Sequence, residues 1–202
     1  MIVKPDYENS IVNITATILK EYGGTSTHNS LEVLERDFDT DFNHLVLILL
    51  DGMGVNIIKK FLKKEDILKR NMISELTSVF PSTTTAATTS VLSAMTPYES
   101  GIMGWFQYFK EYDTYYTIFR ARDYYDEEKE ISTEIAGKLV YDTFLQKIEQ
   151  INPGVKTKIF YPEDIDSSGY ESVAKGLGRV VNFTSTNTKT VSYFYSSNPD
   201  YI

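Results

Sequence analysis

The 202 residues contain no cysteine. That removes disulfides, thiolate metal sites and cysteine nucleophiles, and it fits a reducing compartment. Histidine is scarce as well: His28 and His44 are the only two. Long apolar runs are absent. The longest, residues 45–50, falls far short of the roughly 20 residues that a membrane-spanning helix needs. The opening MIVKPDYENS lacks the apolar stretch of a signal peptide, so a soluble, cytoplasmic protein without membrane association is expected. The sequons at Asn13 and Asn182 then carry no meaning. Positive charge is in the minority, 20 Lys and Arg against 28 Asp and Glu, giving a net charge of -8. Such a field repels DNA and RNA, so nucleic-acid binding is not expected. It does not exclude small phosphate esters, because bound cations reverse the local sign of a site.

What is present is an ordinary globular mixture, with 42% hydrophobic and 24% charged residues. The length suits one well-filled core, and residues 1–202 are read as a single domain. Residues 9–22 carry apolar side chains at helical spacing and end at Gly23-Gly24. LVLILL (45–50) reads as a strand buried on both faces. NIIKKFLKK and EDILKR read as a helix broken near Lys64, and TSVF (77–80) as a short strand stopped by Pro81. TTAATTSVLSAM (84–95) suits a closely packed helix. The aromatic stretch from Trp105 to Phe119 reads as a hairpin or irregular insert, and the acidic block 123–130 as solvated; together they mark an insert or lid over 105–130. One amphipathic helix is expected over 132–150, capped by Ser132 or Thr133. VKTKIFY (155–161) reads as a strand, residues 167–178 as a short helix, and RVVNF (179–183) and SYFYS (192–196) as further strands. Alternating strands and helices predict an α/β class, a layered α/β/α fold with a mostly parallel central sheet.

In open α/β sheets ligands bind beyond the carboxyl ends of the strands. Asp51 stands there in LVLILLDGMG, with Gly52 and Gly54 letting the backbone turn sharply. Such a carboxylate can hold a metal, a Mg-phosphate or a ribose hydroxyl, and by itself the pattern fits a turn or helix-capping Asp equally well. An aspartyl nucleophile of the haloacid-dehalogenase type would carry a second Asp where Met53 stands, and is excluded. A second motif is VFPSTTTAATTSVLSAMTPYESGIMGW (79–105). A hydroxyl at a helix N-terminus sits where an alkoxide or phosphate is favoured, but it needs a base or metal to lose its proton. Capping explains one or two of Ser82, Thr83, Thr84 and Thr85, and not the whole pattern. A third is the tail YFYSSNPD, with Asp200 after a strand.

Taken together, LLDGMG followed by FPSTTTAATTSVLSAMTPYESGIMGW resembles the type I phosphodiesterase / nucleotide pyrophosphatase family of the alkaline phosphatase superfamily. The family pattern runs from a strand-end Asp through Pro-Ser-Thr-Thr and a small-residue helix to Pro and Gly-Ile. Alignment on Pro97 and Gly101 places the family nucleophile on Thr84. Asp200 matches an Asp near the family's second metal site, which is followed there by a His. The resemblance implies two divalent ions, zinc or else manganese or magnesium, roughly 4 Å apart. Asp51 and the Thr84 oxygen would bind one ion and Asp200 the other. Thr84 would attack phosphorus to give a phospho-threonine, later hydrolysed.

The resemblance further implies a small phosphate-ester or nucleotide substrate and a hydrolase acting on phosphodiester or pyrophosphate bonds. A phosphomonoesterase or phosphomutase is the near alternative. Secreted relatives carry an Asn near the position of Trp105; here the indole would stack on a base or line a leaving-group pocket, or simply belong to the core. Neither His28 nor His44 falls on a family ligand position, so the remaining ligands are expected beyond residue 202. The chain then reads as the N-terminal portion of the family fold, and a catalytically incomplete fragment is the non-enzymatic alternative. Its uncovered sheet edges would favour self-association. Lys59, Lys60, Lys63 and Lys64 read as a solvated helix face, and Gly176-Leu-Gly178, which precedes a predicted strand, is no dinucleotide fingerprint.

Overall fold

A computed structural model of the chain describes residues 3–38, 41–118, 120–126, 128–129 and 133–197. In order the elements are α1 (Ile11–Glu21), α2 (Glu32–Phe38), β1 (His44–Leu50), α3 (Val55–Phe61), α4 (Ile67–Arg70), α5 (Thr84–Ser93) and α6 (Pro97–Ser100). There follow β2 (Phe106–Phe109), β3 (Thr114–Thr117), β4 (Arg122–Asp123), α7 (Thr133–Lys138), α8 (Phe144–Ile151), β5 (Lys156–Phe160), α9 (Val173–Ser185) and β6 (Thr190–Ser196). They form two units interleaved in sequence: Met1–Glu35 with Leu76–Lys147, and Arg36–Glu75 with Ile148–Ile202. Among the described residues no helix is long and apolar enough to cross a membrane.

The first unit is built on α1 and α5. Ser10 caps α1 reciprocally: its hydroxyl accepts from the Val12 amide, and the Asn13 side chain accepts from the Ser10 amide at 2.9 Å. The helix stops as expected at Gly23, whose φ of 79° only glycine adopts freely, and the Gly24 amide returns to the Leu19 carbonyl. α5 buries small side chains along most of its length, so it approaches α1 closely enough for the Thr15 hydroxyl to donate to the Val91 carbonyl at 2.6 Å. Val12, Val79 and Ala86 form the core beneath, with Tyr7, Ile11 and Ala87 packed around them. The aromatic stretch does form a hairpin: β2 pairs antiparallel with β3, and β3 with β4.

The second unit is the α/β part. Its parallel sheet has the order β1-β6-β5, with β1 and β6 in register from His44↔Thr190 to Leu50↔Ser196. α9 lies against β6 through a core of Phe160, Tyr170, Val180 and Phe194. This parallel sheet with its helices gives the chain the expected α/β class and an alkaline-phosphatase-like fold.

Several local expectations are corrected. β1 is not buried on both faces: Ile48 is 47% exposed and His44 is exposed, because β1 is an edge strand of the described sheet. The central position belongs to β6, where every residue is buried. Residues 77–80 form no strand, only a bridge from Thr77 to Ser10, since the chain after Ser10 turns into α1. The region 132–150 is two helices, and α8 is capped by Thr143 and Gln146, which bond each other's amides. Thr133 opens α7; Ser132 lies outside the described residues. RVVNF is helical, the second half of α9, which runs on from its Ser172 cap. Val173, Gly176, Val180 and Phe183 recur at helical spacing on the core face, and this overrides the strand preference of the valines. In the acidic block Asp123 is buried, not solvated. The Tyr125 amide chiefly holds its carboxyl below the usual carboxylate range, against the upward push of burial and with Lys129 and the Asp126 amide adding to the lowering.

Candidate active site

The turn after β1 is fixed by its own backbone. The Asp51 amide donates to the Ser196 carbonyl at 2.9 Å, extending the ladder one residue past the strand. Gly52 then takes φ of 72° and Gly54 opens α3 without a side-chain cap. The Asp51 carboxylate, half-buried, accepts from the Gly52 amide at 3.0 Å through Oδ1 and from the Tyr195 hydroxyl at 2.8 Å through Oδ2. Among the described residues each oxygen takes one bond, which leaves each a lone pair for a cation. At the same carboxyl edge, the Ser197 hydroxyl leans on Asp164 at 3.4 Å.

Thr84 is the first residue of α5 in the other unit. Thr83, the cap, is extended and makes no side-chain bond, so the first-turn amides have no side-chain partner from it. The Thr84 side chain is half-buried and its hydroxyl has no hydrogen-bond partner among the described residues, while its carbonyl accepts from Thr88 at 2.8 Å. Below it the helix is packed into the core. Thr85, Ala86, Thr88 and Thr89 are buried, and Lys147 binds the Ser93 carbonyl at the far end, where a cation complements the dipole. Trp105 stands at the root of the hairpin, 44% exposed, with its carbonyl bonded to the Ile118 amide. Asp200 lies outside the described residues.

Neither histidine is at these positions. His44 is at the amino end of β1, bonded to the Thr190 hydroxyl at 3.0 Å. It lies a whole strand away from Asp51, about 23 Å at 3.3 Å per residue. His28 is bonded to Glu99. Among the described residues no three or more Asp, Glu or His stand together as a ready metal cage. Sequence reasoning passed over Tyr195, because its partner becomes visible only once the β1-β6 register is known.

The fold is thus an α/β one, in which one unit carries a carboxylate at the carboxyl edge of its sheet and the other a hydroxyl at a helix start. The family model for type I phosphodiesterase / nucleotide pyrophosphatase matches residues 45–200, from Leu45 in β1 to Asp200. The chain belongs to this family, whose hydrolases act on phosphodiester and pyrophosphate bonds in small phosphate-ester or nucleotide substrates. No curated protein and no solved structure matches it.

Proposed function

We propose that the protein hydrolyses phosphodiester or pyrophosphate bonds of a small phosphate ester or nucleotide, with Thr84 as nucleophile and Asp51 and Asp200 as metal ligands. The observation that carries the reading is Thr84 itself, a hydroxyl with no partner among the described residues at the first position of a largely buried helix inside the family-matched span.

The donor chemistry fits divalent cations: two carboxylates and a hydroxyl, all oxygen, with Asp51 keeping a lone pair on each oxygen. Zinc, manganese and magnesium all accept such donors, and the complete set calls for ligands beyond these three. When bound, the cations supply positive charge that acidifies the Thr84 hydroxyl and offsets the charge of the transferring phosphoryl group. The chain's own part is positional. Thr84 presents its oxygen to phosphorus from a helix end whose amides favour the phosphate. The bond from Thr84 oxygen to phosphorus forms as the bond to the leaving oxygen breaks, and the Thr84 proton is released. Water then cleaves the phospho-threonine and restores the hydroxyl. Trp105 offers its partly exposed ring to a planar leaving group.

The test is an assay of the full-length protein on a phosphodiester and a phosphomonoester, with and without a chelator. Diester turnover that vanishes with the chelator, returns with zinc or manganese, and is absent in Thr84→Ala is the expected result. Preference for the monoester would move the activity to the phosphomonoesterase or phosphomutase branch. Turnover retained by Thr84→Ala would remove Thr84 from the chemistry.

A further inference from the structure

A carboxylate serves as a metal ligand only when its plane is held, and at Asp51 the holding group comes from the neighbouring strand. Tyr195 is on β6, opposite Leu49 in the register and 2% exposed. Three contacts fix it. Its carbonyl accepts from the Tyr170 hydroxyl at 2.6 Å, the Tyr161 ring meets its ring edge-on at 6.0 Å, and its own hydroxyl donates to Asp51 Oδ2 at 2.8 Å. Tyr170 is in turn stacked flat on Phe194, their planes 8° apart. The donor to Asp51 is therefore seated on the most buried strand of the sheet and cannot drift.

We infer that Tyr195 is a positioning residue for the metal centre. With the Gly52 amide on Oδ1 and Tyr195 on Oδ2, the Asp51 carboxylate has a donor on each side, and each oxygen would keep a lone pair for a cation. The inference rests on Asp51 being a ligand, as proposed above. A role in packing alone does not call for the hydroxyl: phenylalanine fills the same space, and the donated bond is what tyrosine adds. Groups of this kind, one bond removed from the metal, typically change affinity 10–100-fold when deleted.

The experiment is calorimetric titration of the full-length protein with Zn2+, comparing wild type, Tyr195→Phe and Asp51→Asn, with thermal unfolding of each metal-free form. Tyr195→Phe removes one oxygen atom and keeps the ring, so its unfolding temperature stays near wild type. The expected result is about a tenfold loss of Zn2+ affinity in Tyr195→Phe and a larger loss in Asp51→Asn. Wild-type affinity in Tyr195→Phe, together with loss in Asp51→Asn, overturns the positioning role and leaves the metal site standing. Wild-type affinity in Asp51→Asn overturns the site and the inference together. A weakened Tyr195→Phe that is also markedly less heat-stable returns the residue to a structural role.

Discussion

The ring nitrogen Nε2 of His28 lies 2.8 Å from Oε2 of Glu99, across 71 residues of sequence. The same oxygen accepts from the Thr96 amide and the Thr96 hydroxyl, each at 2.7 Å. One carboxylate thus caps α6, just downstream of the Thr84 helix, and pins the loop after α1 to it.

Partial burial alone would raise the Glu99 pKa. The Thr96 amide, His28 and the Thr96 hydroxyl outweigh it and bring the value down from 4.5 to about 2. A depressed folded-state value means the stabilisation is complete above the unfolded pKa and is lost as pH falls through the folded one. Between pH 4.5 and about 2 the protein should therefore lose stability. Glu99→Gln should flatten that part of the curve and cost about 1 kcal/mol at pH 7 through the weakened cap. Urea unfolding across a pH series checks both.

Thr84→Ala should abolish turnover and leave stability within about 0.5 kcal/mol, because the hydroxyl bonds nothing among the described residues. A combined assay and denaturant melt separates this outcome from simple unfolding. A large loss of stability would mean the hydroxyl is a structural group.

Ser90, fully buried in the middle of α5, has a hydroxyl without a partner among the described residues. Ser90→Ala removes an unsatisfied polar group and improves helix propensity, so it should stabilise by about 1 kcal/mol. The readout is the denaturation midpoint.

Two glycines of α9 should respond in opposite directions. A Cβ on Gly176 would come within 2.7 Å of ring atoms of both Phe194 and Tyr170, whereas one on Gly178 meets nothing within 4 Å. Gly176→Ala should destabilise by about 1–2 kcal/mol, overpacking exceeding the propensity gain. Gly178→Ala should stabilise by up to about 1 kcal/mol. Thermal melts of the two variants make the comparison.

Sequence alone made α1 legible, since its apolar period and its Gly-Gly stop agree, while its Ser10 cap emerged only in the structure. The same holds for the end of β1 and the start of α5, where Pro, Gly and hydroxyl residues punctuate the chain. Burial was not legible. LVLILL is more apolar than TVSYFYS, yet β6 occupies the centre of the sheet. Sheet position depends on pairing across the chain, which composition does not encode. RVVNF misled because β-branching is a local preference, whereas the contacts that make it helical lie on Phe194 and Tyr170. The hydroxyl-rich cap at Thr143 was missed for the opposite reason: an amphipathic period continued across the break and concealed it. At the candidate site the sequence pointed to Asp51 and Thr84 but not to what surrounds them, and the bond from Tyr195 to Asp51 depends on a register that no local pattern encodes.

The pairing of β1 with β6 also has a cost in time. His44 meets Thr190 only after 146 further residues have been made. At about 5–20 residues per second, the ribosome leaves this apolar edge without its native neighbour for roughly 7–30 s. Parallel strands this far apart close slowly even in a finished chain, since loop entropy must be spent before any contact returns it. Until then the nascent chain exposes a six-residue aliphatic run suited to wrong partners, so synthesis at high rate should lean on a holding chaperone.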